Sequence, residues 1–321
     1  MSTVQTAQLK NALDQDLIAA FVRDCKLRSF SSETIVSHKS ILRIVSRFLN
    51  RGDLNLTCLN RSTLKALLEY LLEHKFSHKT LENYFTALST FSDYLVYEGV
   101  IKSNDVLPFR KRYLRQYKNG GSNSDSQRKL ISVEEMSMLI NSILDPRDKA
   151  IVTLFAKTGI RRNELVQIDL DEIDWLEQSI RLKPHRKRSN CTVFFDVECA
   201  LVLRRWMKAR EGYDVEPECE TLLINERGGR LGRNGVYNVV TENAKRVGLH
   251  DPESERAEDH FFPHCCRHWF TTCLRRNGIQ RELLKELRGD ARNEAVDIYD
   301  HIDRKELKRA YLAAIPVLGI A

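Results

Sequence analysis

Apolar residues recur every three or four positions through the first hundred residues, the spacing expected of helices that bury one face. The pattern predicts four such helices, around residues 17–25, 35–49, 64–72 and 81–95. Four amphipathic helices with short connections can bury a common core. We therefore predict a helical bundle over residues 1–100.

The helical periodicity breaks at Gly99. The following stretch contains Pro108 and then KNGGSNSDSQ, whose glycine, serine and asparagine content is typical of a linker. We place that linker at residues 101–128. Within it, the stretch PFRKRYLRQYKNGG is basic and carries no acidic residue, which suits contact with phosphates; the cations concerned are Arg110, Lys111, Arg112 and Arg115.

Residues 129–321 mix helical patterns with short β-type segments. Ser132 and Glu135 form a capping box ahead of one helix. The segments SIRLK and CTVFFD indicate a hairpin around a basic turn that includes Lys183, Arg186, Lys187 and Arg188. The predicted fold class is therefore mainly α with a small β-sheet, with a second, α+β domain over residues 129–321.

Composition restricts the cellular locations and the binding partners that are consistent with the sequence. The net charge is +7, and much of the excess lies in the two basic clusters, which favours a polyanionic partner over a merely solvated surface. No apolar run is long enough for a transmembrane helix, and the N-terminus lacks the apolar region of a signal peptide. Eight cysteines without a CxxC pair are expected to be free thiols in a reducing cytoplasm.

Three separated stretches carry side chains suited to phosphate chemistry: TGIRRNEL at 158–165, HCCRHWFTT at 264–272 and LRGDARNEAVDIYDHI at 287–302. Each has a plainer explanation when taken alone. Arg161 could be a surface residue at a helix start, His264 a satisfied core or capping histidine, and Tyr299 a packing residue. Zinc is a further alternative for His260, His264, Cys265, Cys266 and His268, but their spacing matches no usual ligand framework, so no metal is predicted.

Together the stretches resemble the tyrosine recombinases, the family of phage integrases and Xer proteins. The first matches a turn of the form T-G-apolar-R-x-x-E-L, and the second matches H-x-x-R-H-x-F-T-T. In the third, a glycine is followed by the place of a histidine or tryptophan, with the tyrosine nine residues beyond. Here Gly289 and Tyr299 fit, whereas Asp290 departs from the pattern. The form LRGD…YDHID resembles archaeal or archaeal-virus members.

The resemblance implies roles for these residues. Tyr299 would attack a DNA phosphodiester and form a 3′-phosphotyrosine, while Arg161 and Arg267 hold the phosphate oxygens with planar, permanently charged forks. His264 would orient phosphate or exchange protons. The family's general acid is a lysine of the β-hairpin, for which Lys187 is our first choice and Lys183 the alternative.

Other residues are expected to support the site or to bind DNA. Glu164 and His268 would support it, and Asp290 would repel phosphate unless it pairs with His268 or with an arginine, which makes it a structural brace. The predicted DNA contacts outside the site are Arg110, Lys111, Arg112, Arg115, Arg186 and Arg188.

The predicted function is site-specific DNA recombination or integration, without metal or ATP. The partners implied are double-stranded DNA and a homotetramer assembled on it, with an accessory DNA-bending protein as a further candidate. The predicted location is cytoplasmic, at the nucleoid. The tail after Tyr299 could pack in cis or on a neighbouring protomer. Two alternatives remain: a catalytically silent DNA-binding regulator on the same scaffold, and a type IB-like topoisomerase.

Overall fold

The computed structural model describes residues 3–115, 129–184, 188–290 and 302–320, with the backbone alone for residues 3–11. The chain divides into two compact units, Met1–Ser124 and Asp125–Ala321.

The N-terminal unit is helical. Three of its helices begin at a serine or asparagine cap, Ser31, Asn60 and Ser77, whose side-chain oxygen accepts a backbone N–H of the first turn. The four predicted helices are present. The helices of this unit are α1 Thr3–Leu27, α2 Ser32–Arg51, α3 Arg61–Glu73, α4 His78–Tyr97 and α5 Val106–Phe109, which continues as a π-helical turn, Arg110–Leu114.

The first part of the predicted linker belongs to this helical unit. Phe109 and Leu114 are buried in its core, and the Phe109 ring stacks on Phe85 with centroids 5.3 Å apart. The cause is apolar spacing within the basic stretch, where Val106, Phe109 and Leu114 fall on one side of the turn. The Gly/Ser-rich part, residues 116–128, lies outside the described residues.

The second unit is α+β. Its helices are α6 Val133–Ser142, α7 Pro146–Thr158, α8 Arg162–Leu165, α9 Val197–Arg210, α10 Arg233–Arg246, α11 Pro263–Arg276, α12 Arg281–Arg288 and α13 Arg304–Ala314. An antiparallel sheet has the order β1 Ile173–Asp174, β2 Ser179–Arg181, β3 Thr192–Phe194. The predicted hairpin corresponds to β2 and β3, in which Ile180 pairs with Val193. The predicted fold class is confirmed.

Helix α7 is the centre of the second unit. It packs against α9 and α11, and its residues from Ala150 to Thr158 are all buried. The two fully buried tryptophans nearby, Trp206 and Trp269, each donate the indole N–H to a backbone carbonyl. Because α7 is fixed on several sides, the turn that follows it is held firmly in place.

The C-terminal tail packs in cis on this unit. The fully buried Lys157 ammonium of α7 donates to the Pro316 carbonyl at 2.8 Å and pairs with Asp196 and Glu198. The Glu198 carboxylate in turn accepts the backbone N–H groups of Leu318 and Ile320. A buried charge paired in this way ties the last residues of the chain to the end of α7.

Within the described part of the chain, no helix combines the length and apolar character needed to cross a bilayer.

Protonation of His38 is expected to destabilise the N-terminal unit. Its ring is buried against Phe21 and Phe30, and burial lowers its pKa below the usual 6.5. The neutral His38 ring contributes its full stabilisation at a pH above the pKa that His38 has in the unfolded chain. This stabilisation is lost as the pH falls from that value toward the lower pKa of His38 in the folded chain. Calorimetry of the full chain should therefore show that, between about pH 7.5 and about pH 5, the Tm of the wild type falls by more than the Tm of His38→Leu. An equal fall in both proteins would contradict this role for His38.

Candidate active site

The turn after α7 places Arg161 at the surface of a cavity. Arg161 is the residue before α8, and its backbone N–H donates to Glu164 Oε2 at 2.7 Å. Its guanidinium donates from Nη1 to Glu164 Oε1 at 2.9 Å. The side chain is 36% exposed, so Glu164 orients Arg161 while leaving it open to a ligand.

Gly159 is required at this turn for two reasons. It ends α7 with φ +60°, and a Cβ at this position would lie 2.4 Å from the Phe270 ring of α11. The close approach of the two helices lets the Gly159 carbonyl accept a hydrogen bond of 2.6 Å from Arg267 Nη1. A larger residue here would be strained and would separate the two arginine-bearing elements.

Arg267 is the buried partner of Arg161. Its side chain is 5% exposed, and Nη2 donates to the Arg288 carbonyl at 2.9 Å and to Asp290 Oδ1 at 3.1 Å. Burial, with the positive charges of Arg161 and Arg288, lowers its pKa to about 10. The guanidinium therefore remains charged at neutral pH.

Asp290 occupies the point where the two guanidinium groups converge. Its Oδ1 lies 3.1 Å from Arg267 Nη2 and 3.4 Å from Arg161 Nη2. Its Oδ2 lies 3.2 Å from Arg288 Nε, close enough for an ion pair although the N–H is not aligned for a hydrogen bond. One carboxylate thus separates three like charges, and this position accepts an anionic oxygen.

The two histidines lie on the same helix as Arg267. His264 and His268 are both exposed, and their rings meet edge to face with centroids 4.8 Å apart. His264 lines a cavity of about 290 Å³ together with Arg161 and Arg267. The structure thus brings together the arginine of the first motif and the histidine and arginine of the second.

Arg188 does not lie on the surface as predicted for a DNA contact. Its side chain is completely buried, and Nη1 pairs with Glu164 Oε2 at 2.9 Å. The prediction is corrected because a carboxylate 24 positions earlier in the chain draws this guanidinium inside. Burial alone would raise the pKa of Glu164, but the Arg188 charge and hydrogen bonds from Arg161 outweigh it and lower that pKa.

Lys183, the alternative general acid, forms an ion pair with Asp169. Its ammonium lies 2.5 Å from Asp169 Oδ2, and Asp169 also pairs with Arg230 at 2.5 Å. Lys183 is not among the residues that line the cavity with Arg161. Tyr299, Lys187 and Arg186 lie outside the described residues.

The basic stretch in the first part of the predicted linker is largely exposed. Lys111, Arg112 and Arg115 are exposed, whereas Arg110 Nη2 donates to Thr86 Oγ1 at 3.0 Å. Their contact with DNA stays a prediction.

Two residues of the cavity wall were missed in the sequence. The Arg162 guanidinium lies over the Tyr237 ring, 5.7 Å from its centroid, and both line the cavity. Arg162 could have been found as the neighbour of Arg161, but Tyr237 is brought there from α10 by the tertiary fold. Over the described ranges, no group of three histidine, cysteine or carboxylate side chains is arranged to hold a metal ion.

Comparison with known proteins relates both units to one group. A family model described as the phage integrase family matches residues 129–306, and a phage integrase SAM-like domain matches residues 15–121. Tyrosine recombinase XerC of Lactobacillus leichmannii is 26% identical over 300 residues, covering 90% of this chain and 95% of that protein.

Two solved structures share the fold. The Tn1549 transposon integrase in complex with transposon right end DNA aligns with a TM-score of 0.68 and 15% identity, covering 91% of this chain and 97% of that one. A lambda integrase dimer bound to a COC′ core site aligns with a TM-score of 0.65 and 15% identity, covering 90% and 80%.

Replacing Asp290 by asparagine should leave Arg161, Arg267 and Arg288 without their shared counter-charge. Because Asp290 is 30% exposed, we expect the free energy of unfolding to fall by about 1–2 kcal/mol, less than for a fully buried pair. Inorganic sulfate should restore stability by binding between the arginines. The measurement is thermal unfolding over a sulfate titration, with the exposed Asp171→Asn as control. A sulfate response no larger than that of the wild type would refute the anion position.

Proposed function

The chain belongs to the phage integrase family, and from this premise we propose that it cuts and rejoins DNA at specific sites through a 3′-phosphotyrosine at Tyr299. The observation that carries the proposal is the convergence of Arg161 and Arg267 on one oxygen of Asp290. A non-bridging oxygen of a phosphodiester carries the same kind of negative charge. We expect a DNA phosphate to displace the carboxylate from this position.

The two arginines suit the charge that develops during cleavage. Arg267 is fixed by two backbone carbonyls before substrate arrives, and such preorganised donors cost little reorganisation during reaction. Arg161 is more exposed and can reach a phosphate on the surface of DNA. The two guanidinium groups supply the charge stabilisation that a metal ion could give, and the phosphotyrosine ester keeps the energy of the broken phosphodiester bond. The proposed reaction therefore needs neither a metal ion nor ATP.

Cleavage and rejoining exchange one phosphate ester for another. The Tyr299 phenol loses its proton as its oxygen forms a bond to phosphorus, the bond from phosphorus to the 5′ oxygen breaks, and a proton is delivered to that leaving oxygen. A 5′ hydroxyl of another strand then attacks the phosphotyrosine and releases the phenol. His264 is proposed to orient phosphate or to move protons, and Lys187, with Lys183 as the alternative, to protonate the leaving oxygen.

The N-terminal unit offers a second contact surface for DNA. Helix α2 carries a row of cations spaced four residues apart, Lys39, Arg43, Arg47 and Arg51. The last three are exposed, and none of the four has an ion-pair partner among the described residues. Unpaired cations along one helix suit a phosphate backbone, so we add this row to the proposed contacts of Lys111, Arg112 and Arg115.

Recombination also sets the size of the proposed assembly. Two duplexes each exchange both strands, so four tyrosines are needed and we propose a tetramer on DNA. An accessory DNA-bending protein is an optional further partner. The proposed location is the nucleoid.

A covalent-trapping experiment tests the cleavage proposal. The protein is incubated with a library of nicked suicide duplexes in EDTA, and adducts are isolated on a denaturing gel and sequenced. We expect adducts on a restricted set of sequences, none with Tyr299→Phe, and normal adducts with the control Tyr213→Phe. Arg267→Lys should bind DNA but cleave about 10²- to 10³-fold more slowly, because the fork that holds the phosphate is lost.

The contrary outcomes distinguish the other functions. DNA binding without adducts on any library member would indicate a catalytically silent regulator. Adducts on arbitrary sequences, with relaxation of any supercoiled plasmid, would indicate a topoisomerase. Adducts that persist in Tyr299→Phe would refute the nucleophile.

A further inference from the structure

Arg188 is a charged residue that the recognised motifs do not include, and its side chain is completely buried. Its Nη1 donates to Glu164, and its Nε donates to the Asn190 carbonyl. The remaining Nη2 has no hydrogen-bond partner among the described residues. A buried guanidinium with an unsatisfied donor contributes little net stability, since apolar residues of similar volume often replace buried ion pairs without loss. Its contribution is therefore expected in geometry.

On one side, Arg188 reaches the anion site through Glu164. Glu164 Oε2 accepts from Arg188 Nη1 at 2.9 Å and from the Arg161 backbone N–H at 2.7 Å, while Oε1 accepts from Arg161 Nη1 at 2.9 Å. The carboxylate is thus clamped between two arginines. If Arg188 is removed, Glu164 can rotate, and the Arg161 guanidinium that it holds can rotate with it.

On the other side, Arg188 reaches the end of α12. A Cβ on Gly289 would lie 2.6 Å from Arg188 Cγ, so the glycine makes room for its stem. Arg188 Nη1 also lies 3.4 Å from the Arg288 carbonyl, which is the acceptor for Arg267 Nη2. The Arg288 carbonyl therefore contacts both Arg267 and Arg188.

The neighbours of Arg188 strengthen this attachment. Ser189 Oγ donates to the Asp290 carbonyl at 2.8 Å, and Asn190 Nδ2 donates to the Glu286 carbonyl at 3.2 Å. Three consecutive residues at the β3 end of the hairpin loop therefore bind carbonyls at the end of α12. These contacts fix residues 188–190 relative to Asp290, whose Oδ1 lies between Arg161 and Arg267.

We propose that Arg188 is a positioning residue for DNA cleavage, which orients Arg161 through Glu164 and fixes the β3 end of the hairpin loop, residues 188–190, against the end of α12. This inference rests on the proposed function. It gives Arg188 two separable effects on rate. One acts on charge at the phosphate through Arg161, and the other acts on protonation of the leaving oxygen through the hairpin lysine.

A substrate with sulfur in place of the 5′ bridging oxygen separates these effects. In that substrate the phosphorus–sulfur bond breaks and a thiolate leaves, and a thiol has a pKa near 8.5, so no general acid is required. A variant that misplaces only the general acid should cleave this substrate at the wild-type rate. A variant that misplaces only Arg161 should show the same rate defect, relative to the wild type, on both substrates.

The variants are Arg188→Met, which keeps much of the volume, and Arg188→Lys, which keeps the charge, with the exposed hairpin residue Arg181→Met as control. Single-turnover cleavage is measured at saturating protein, with DNA affinity and Tm measured separately. We expect Arg188→Met to cleave about 10- to 100-fold more slowly with little change in affinity, and Arg188→Lys to recover part of the rate. The sulfur substrate should reduce the defect without abolishing it.

A double-mutant cycle covers the case in which Arg188→Met fails to fold. Glu164→Gln loosens the same connection, so its effect on cleavage should be strongly non-additive with that of Arg188→Lys. Additive effects, or cleavage by Arg188→Met at the wild-type rate, would overturn the role of Arg188. Absence of any adduct from the wild type would instead refute the proposed function, so the two failures are distinguishable.

Discussion

The second unit depends on keeping several arginines close together in a partly buried pocket. Like charges repel strongly where water is scarce, and each must be paired or hydrogen-bonded. Two carboxylates meet this requirement, Glu164 between two guanidinium groups and Asp290 among three. Four arginines against two carboxylates leave a formal excess of two positive charges. The carboxylates pair the arginines well enough for the pocket to fold, and the remaining positive charge attracts an anion. The arginines concerned are Arg161, Arg188, Arg267 and Arg288.

Backbone geometry makes this arrangement possible. Gly159 ends α7 and Gly289 ends α12, each with φ +60°, and each has an aromatic ring or an arginine stem where a Cβ would lie. The carbonyls exposed at these two helix ends accept from Arg267. Helix packing, capping and charge pairing therefore determine the position of the same guanidinium, and a change in any one of them would be felt by the others.

Much of the fold and part of the site could be predicted from the sequence because their signals are local. Helix periodicity located the bundle, and the two arginine motifs identified Arg161 and Arg267, which the structure brings together. The pairing of Asp290 with arginine was one of two alternatives. Burial of Arg188 could not be predicted, because a basic run looks the same whether its members face water or a distant carboxylate. The helical turn through Phe109 and the cations of α2 did leave a periodic signal, which the basic and polar composition obscured.

The packing of the C-terminal tail on the end of α7 connects the end of the chain with the turn that carries Gly159. The Tyr311 hydroxyl donates to the Lys157 carbonyl at 2.9 Å, and the Lys157 ammonium donates to the Pro316 carbonyl. Lys157 is only two residues before Gly159, whose carbonyl anchors Arg267. A truncation before Pro316 would remove the Pro316 carbonyl from Lys157, loosen the end of α7 and thereby shift the Gly159 carbonyl that holds Arg267.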